Sequence, residues 1–139
     1  MSYIPGIESS GSALDAERMR LNIIANNIAN ANTTRDANGQ VYHRQQVVFE
    51  NILEQAKNGG PDIPIVHVKE IISDPTPGKP VYMPGHPDAD ANGMVMQPNV
   101  NIAEEMVDMI TASRAIEANV QAITTAKQMV QRALDISRH

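Results

Sequence analysis

Aliphatic residues recur at intervals of seven near both ends of this chain. Towards the C-terminus Ile102, Met109, Ile116, Ile123 and Val130 are spaced by sevens, with Met106, Val120 and Leu134 as a companion row, which predicts a helix with a coiled-coil-like seam from Ile102 to Ile136. Its start is marked by Asn101 and, three residues on, Glu104, the spacing of a capping box. Glu104 and Glu105 then sit at the positive end of the helix dipole, and Arg132 and Arg138 near the negative end. At 1.5 Å per residue such a helix is about 50 Å long, more than a compact chain of this size covers, so part of it is expected to meet a neighbour.

A second seam runs through Ile7, Leu14, Leu21 and Ile28, with Ile24 and Ala31 on adjoining positions, predicting a helix between about Ile7 and Asn32. It is the weaker of the two. Glu17 and Arg18 interrupt it, Gly11 costs roughly 1 kcal/mol relative to Ala in a helix interior, and Asn22, Asn26, Asn27, Asn30 and Asn32 compete for backbone hydrogen bonds. Rows of alanine (Ala25 and Ala29; Ala112, Ala126 and Ala133) allow close approach of helices on more than one side.

Between the seams, β-branched alternation predicts short strands over Gln40–Phe49, Ile63–Ile72, Lys79–Met83 and Met94–Gln97. They are separated by the turn signals Asn58-Gly59-Gly60-Pro61, Pro77-Gly78, Pro84-Gly85 and Asn92-Gly93. The fold class is therefore α+β: long N- and C-terminal helices pair as a coiled-coil-like assembly domain around a small β-rich central insert. The segments are residues 1–36 (helical assembly), 37–98 (β-rich insert) and 99–139 (helical assembly).

Composition narrows the function. Of 139 residues 42% are hydrophobic but only 3% aromatic, which suits aliphatic seams better than a globule anchored on rings. The net charge is −5 and the eleven Lys and Arg are scattered, so there is no basic stripe to track phosphates and no nucleic-acid partner is expected. Cysteine is absent, which excludes disulfides and thiolate chemistry. No apolar run nears the roughly 18 residues of a membrane span, and the N-terminus lacks the basic-then-apolar order of a cleaved signal.

Candidate chemistry is sparse. Asp88-Ala89-Asp90-Ala91-Asn92-Gly93 matches the first half of a calcium loop, but Asn99 stands where the twelfth-position Glu is needed and Pro98 precedes it. A turn with Asp and Asn bonding their own backbone and Gly93 at positive φ accounts for the same residues. His43, His67, His86 and His139 form no ligand spacing, no serine lies on a nucleophile elbow, and no glycine-rich loop cradles phosphate. No catalytic residue, metal, cofactor or small-molecule substrate is expected. The seams can close on each other within one chain, or the amides of the first helix can set register between chains. The candidate assembly residues are Leu14, Leu21, Ile24, Ile28, Met109, Ile116, Val120, Ile123 and Val130, with Asn26, Asn27 and Asn30 as register-setting amides.

Three ordered motifs then resemble one family. Leu21-Asn22-Ile23-Ile24-Ala25-Asn26-Asn27-Ile28-Ala29-Asn30-Ala31-Asn32-Thr33 resembles the N-terminal signature of bacterial flagellar axial proteins, the rod and hook family. Ser113-Arg114-Ala115-Ile116-Glu117-Ala118-Asn119-Val120, continuing to Ala126-Lys127-Gln128-Met129, resembles the C-terminal one. Pro84-Gly85-His86-Pro87-Asp88-Ala89-Asp90-Ala91-Asn92-Gly93, followed by Pro98-Asn99-Val100-Asn101, is similar to a turn typical of the short, proximal rod members. The resemblance implies a structural subunit of the basal-body rod, with His86, Pro87, Asp88, Asp90, Asn92 and Gly93 as its signature turn. It further implies export without a cleaved signal by the flagellar type III apparatus, assembly in the periplasm with other rod proteins and copies of itself, and transmission of motor torque. The competing expectation is a soluble coiled-coil binding or regulatory module that dimerises without building a filament.

Overall fold

A computed structural model describes residues 5–35, 38–54 and 62–137. Six elements follow in order: α1 (Pro5–Ala29), β1 (Gln45–Glu54), β2 (Ile63–Ser73), β3 (Lys79–Tyr82), β4 (Met94–Gln97) and α2 (Ile102–Ser137). The α+β class and the helix–insert–helix order are as expected. The Asn58-Gly59-Gly60-Pro61 turn and the boundary at residues 36 and 37 lie outside the described residues.

Despite Asn22, Asn26 and Asn27, the first helix is continuous over 25 residues. Pro5 stands at its first position, where a missing N–H costs nothing. It winds down at Asn30, whose N–H and Nδ2 both donate to the Asn26 carbonyl (3.0 and 2.9 Å), and Thr33 closes a further turn on the Asn30 carbonyl at 3.0 Å. At the head of α2, Asn101 Oδ1 accepts the N–H of Ala103 at 3.1 Å and its carbonyl accepts that of Glu105 at 3.0 Å. The cap is thus made one residue short of the Glu104 N–H that a capping box uses.

The helices pair antiparallel. Asn27 near the end of α1 meets Glu105 near the start of α2, whereas Ile7 lines a cavity with Lys127, Val130 and Leu134 at the far end of α2. The row of sevens is half-buried from Met109 to Val130, whereas its first member, Ile102, is exposed. The companion row is a correction: Met106 and Val120 are exposed, only Leu134 lies beside α1, and the row that faces α1 is Glu105, Ala112, Asn119 and Ala126. Both rows lie within one turn of the first, three or four residues on. Small side chains let the axes come together, and Ala112 is completely buried in that contact. Ala16, Ile23 and Ile24 supply the α1 side of the core.

Strands β1 and β2 form a long antiparallel ribbon with Gln45 opposite Ser73, Glu54 opposite Ile63 and a bulge between Val48 and Phe49. The ribbon lies along α1. Asn27 holds both main-chain groups of Gln45 at one end, and Ser12 Oγ accepts the Val66 N–H at 3.1 Å towards the other. From Asn27 to Ser12 the helix rises about 22 Å at 1.5 Å per residue, and the six steps along the strand from Gln45 to Asn51, the partner of Val66, cover about 20 Å. The match lets the two-stranded ribbon track one helix face. Strand β1 starts later than predicted, because Tyr42 and Arg44 turn their side chains to Asn27, Glu105 and Asp108. It also runs past Phe49, where Glu50 pairs across the ribbon with Lys69 at 3.6 Å and keeps the polar positions in the sheet.

The second ribbon, β3 with β4, pairs Lys79 with Gln97 and Tyr82 with Met94. Val81 and Val95 share its inner face, and Val95 is 1% exposed. The connection folds into a tight turn in which Asp90 Oδ1 accepts the N–H groups of Asn92 (2.8 Å) and Met94 (2.9 Å), and Gly93 adopts φ 75°.

Candidate assembly site

The seam is capped at one end by a buried polar cluster built from three separate parts of the chain. Asn27 is 1% and Glu105 0% exposed. The Asn27 amide nitrogen donates to the Gln45 carbonyl (2.8 Å) and to Glu105 Oε2 (3.0 Å). Its oxygen accepts the Tyr42 hydroxyl (2.8 Å) and the Gln45 N–H (2.9 Å). All four hydrogen-bonding positions of the amide are therefore used inside the chain. The other oxygen of Glu105 receives Arg44 Nε, while Arg44 Nη2 reaches Asp108 at 3.2 Å. Arg20 lies 3.6 Å from Asp108 and 3.9 Å from Glu17. Glu17, Arg20, Asp108, Arg44 and Glu105 thus alternate in sign from α1 across to α2 and the strand that enters β1.

The electrostatics follow from this geometry. Burial alone would lower the Arg44 pKa, but the hydrogen bond and charge of Glu105, with Asp108 and Asp74 nearby, outweigh it and hold the guanidinium above its ordinary value. Burial, and then the charge of Glu105, push the Tyr42 hydroxyl above the usual tyrosine range. A raised pKa means that the folded chain holds this proton more tightly than the unfolded one. The corresponding stability is present below the normal tyrosine titration and is lost as pH rises through the raised value. Urea unfolding of wild type should therefore weaken above about pH 10. Tyr42→Phe should flatten that alkaline decline while costing about 1 kcal/mol at neutral pH, since Asn27 Oδ1 loses one donor. An unchanged alkaline slope would remove Tyr42 from the account.

The predicted residues divide into two groups. Ile24 and Asn27 are buried and committed within the chain, and Leu14, Leu21, Ile28, Met109, Ile116, Ile123 and Val130 are half-buried along the helix pair. Asn27 bonds groups of α2 and β1 within the same chain. Asn26 is exposed, and Asn30 bonds back to its own helix. Val120 faces outward together with Ile102, Met106, Val107 and Ile110, leaving an apolar face on α2 after α1 has been packed. The residues that periodicity missed are Glu105, Arg44, Tyr42 and Asn99. Glu105 did carry a signal, for it stands three residues after Ile102, where a seam residue belongs.

The signature turn is strapped to the segment that follows α1. Thr34 Oγ1 donates to Asp88 Oδ2 at 2.8 Å, Arg35 Nε lies 3.1 Å from Asp88 Oδ1, and His86 Nδ1 accepts the Asp88 N–H at 3.1 Å. Both Asp88 oxygens are thereby engaged by protein groups. Pro87, Asp90 and Asn92 are exposed, and Gly93 is half-buried with its Cα hydrogens facing Tyr82 and Pro84. Among the described residues there is no cluster of three acidic or histidine side chains that could hold a metal, and no helix is long and apolar enough to cross a membrane.

Two family models match the chain: flagella basal body rod protein over residues 7–35, and flagellar basal body rod FlgEFG protein C-terminal over residues 91–136. The matched stretches take in most of α1 and α2 and omit both strands of the long ribbon. The chain is also similar over its whole length to curated proteins named flagellar basal-body rod protein FlgC. It is 40% identical to that of Yersinia enterocolitica over 138 residues (99% of this chain, 100% of the relative) and 41% identical to that of Borreliella burgdorferi (98% of each). The Bacillus subtilis protein is 36% identical over 99% of this chain and 100% of its own.

Proposed function

The chain belongs to the FlgC family of flagellar basal-body rod proteins, and from that premise we propose that it is a structural subunit of the proximal rod that assembles with other rod proteins and with copies of itself. The observation that carries this reading is the apolar face left on α2 once the intramolecular seam is closed, through Ile102, Met106, Ile110 and Val120. A contact between that face and a different face of a neighbour is heterologous, and a heterologous contact whose rotation does not close builds a helical tube. Long helices bundled along such a tube carry torque between rotor and hook, and the polar cluster couples each helix pair to its ribbons. Work is passed on mechanically, with no turnover. The subunit would reach the periplasm through the flagellar type III apparatus without losing a signal peptide, and a first helix that depends on packing for its stability suits passage as an unfolded chain.

The test uses a strain lacking its own rod protein of this type, complemented with the chain. Wild type should restore swimming and complete basal bodies. Val120→Asp leaves the inner seam untouched, so its melting should be unchanged. Burying an unpaired carboxylate at each subunit contact would cost roughly 4 kcal/mol or more, about a thousandfold in association, and rods should be absent. A swimming Val120→Asp strain with intact rods would overturn the assignment of this face.

A further inference from the structure

We propose that the Asn27–Glu105–Arg44 cluster is a register lock that fixes where α2 sits along α1, on a seam that by itself repeats every seven residues. Both helices carry aliphatic rows at sevens, Ile7, Leu14, Leu21 and Ile28 on α1 and Met109, Ile116, Ile123 and Val130 on α2. Sliding one helix by a heptad, about 10 Å, brings aliphatic residues onto aliphatic residues again. The inner row of α2 adds little discrimination, because Ala112 and Ala126 present no knob that must find one particular hole. A flat alanine contact and a periodic aliphatic one are both forgiving of translation.

The cluster is not. Seven residues after Glu105 comes Ala112, and seven before it the chain is at Pro98, outside the helix. A heptad slip in one direction therefore sets Ala112 against Asn27, and in the other it leaves no helical residue there. In either case the Asn27 amide nitrogen and Arg44 Nε, which now meet the two oxygens of Glu105, lose their acceptor, and Glu105 loses both donors. The lock acts on the ribbon as well. Asn27 holds the N–H and carbonyl of Gln45 and Arg44 precedes it, so the register of α2 on α1 and the docking of β1 are decided at the same residues. Buried polar groups of this kind are best attested as register-setting devices, and replacing a whole cluster with apolar residues of similar volume can leave a protein folded.

The absence of cysteine makes the test direct. Spin labels on Asn22→Cys in α1 and Gln128→Cys in α2, both exposed positions, lie well apart along the helix axis, so a slip changes their separation. Wild type should give one distance. The apolar triple variant Asn27→Leu/Arg44→Met/Glu105→Leu should keep its helicity and show a second population displaced by about 10 Å, one heptad. A folded triple variant with the wild-type distance alone would overturn the lock. Should that variant fail to reach wild-type helicity, Arg44→Met/Glu105→Leu is read in its place, since it retains the bonds from Asn27 to Gln45 and Tyr42. A second, displaced distance supports the proposal there, and a single wild-type distance overturns it.

Discussion

Replacing Arg44 with Met should destabilise the chain by about 3 to 5 kcal/mol at neutral pH, the usual consequence of removing one partner from a buried ion pair. The substitution keeps most of the side-chain volume, so the loss is electrostatic. Glu105 stays 0% exposed with a single remaining donor, the Asn27 amide, and Asp108 loses its 3.2 Å contact. Urea titrations of both proteins at neutral pH measure this directly. A variant as stable as wild type would mean that Glu105 had found water or another cation.

Gly78→Ala should cost roughly 3 kcal/mol, at the upper end of what overpacking usually costs. A Cβ at this position would stand 2.1 Å from the carbonyl oxygen of Gln97 and 3.2 Å from its carbon, and a backbone carbonyl within a strand pair cannot swing aside as a side-chain tip can. Relief requires opening the ribbon where Lys79 pairs with Gln97, and this exposes Val95. Hydrogen exchange at the amides of Val81 and Val95 should accelerate while α1 and α2 stay protected. Gly85→Ala is the control. Nothing lies within 4 Å of the Cβ it would add and Gly85 has no positive φ, so its effect should fall within about 0.5 kcal/mol. Equal effects of the two substitutions would place the cost in the unfolded chain and not in the close approach of Gly78 to β4.

Periodicity made the helices legible because it is local. Five residues at sevens from Ile102 to Val130 define a helix and a face whatever lies opposite. Periodicity does not reveal which of two flanking rows turns inward, since Met106, Val120 and Leu134 are the more hydrophobic set and Glu105, Ala112, Asn119 and Ala126 the one that packs. Closeness of approach decided between them, and closeness depends on the partner helix. Glu105 shows the same limit more sharply. Its place near the helix start suggests a dipole role, and its burial makes sense only once Arg44, 61 residues away in the chain, and Asn27, 78 away, are seen against it. The strand ends were obscured for a related reason. Glu50 breaks the apolar alternation of β1, and only the ladder with β2, where it stands opposite His67 and near Lys69, makes that position a strand.

Asn99 clasps three passes of the chain at once, taking the N–H of Arg44 at 2.7 Å and donating to the carbonyls of Asp74 and Thr76 at 3.3 and 3.0 Å. Every group it grips belongs to the main chain. Its clients can therefore exchange their side chains through evolutionary drift without loosening the clasp, whereas the clasp itself has no substitute of equal reach and dual polarity. Among descendants of a common ancestor, residues 74 and 76 are free to wander in identity, and Arg44 is tied by its own side-chain partners Glu105 and Asp108, while the place where the backbones cross stays put.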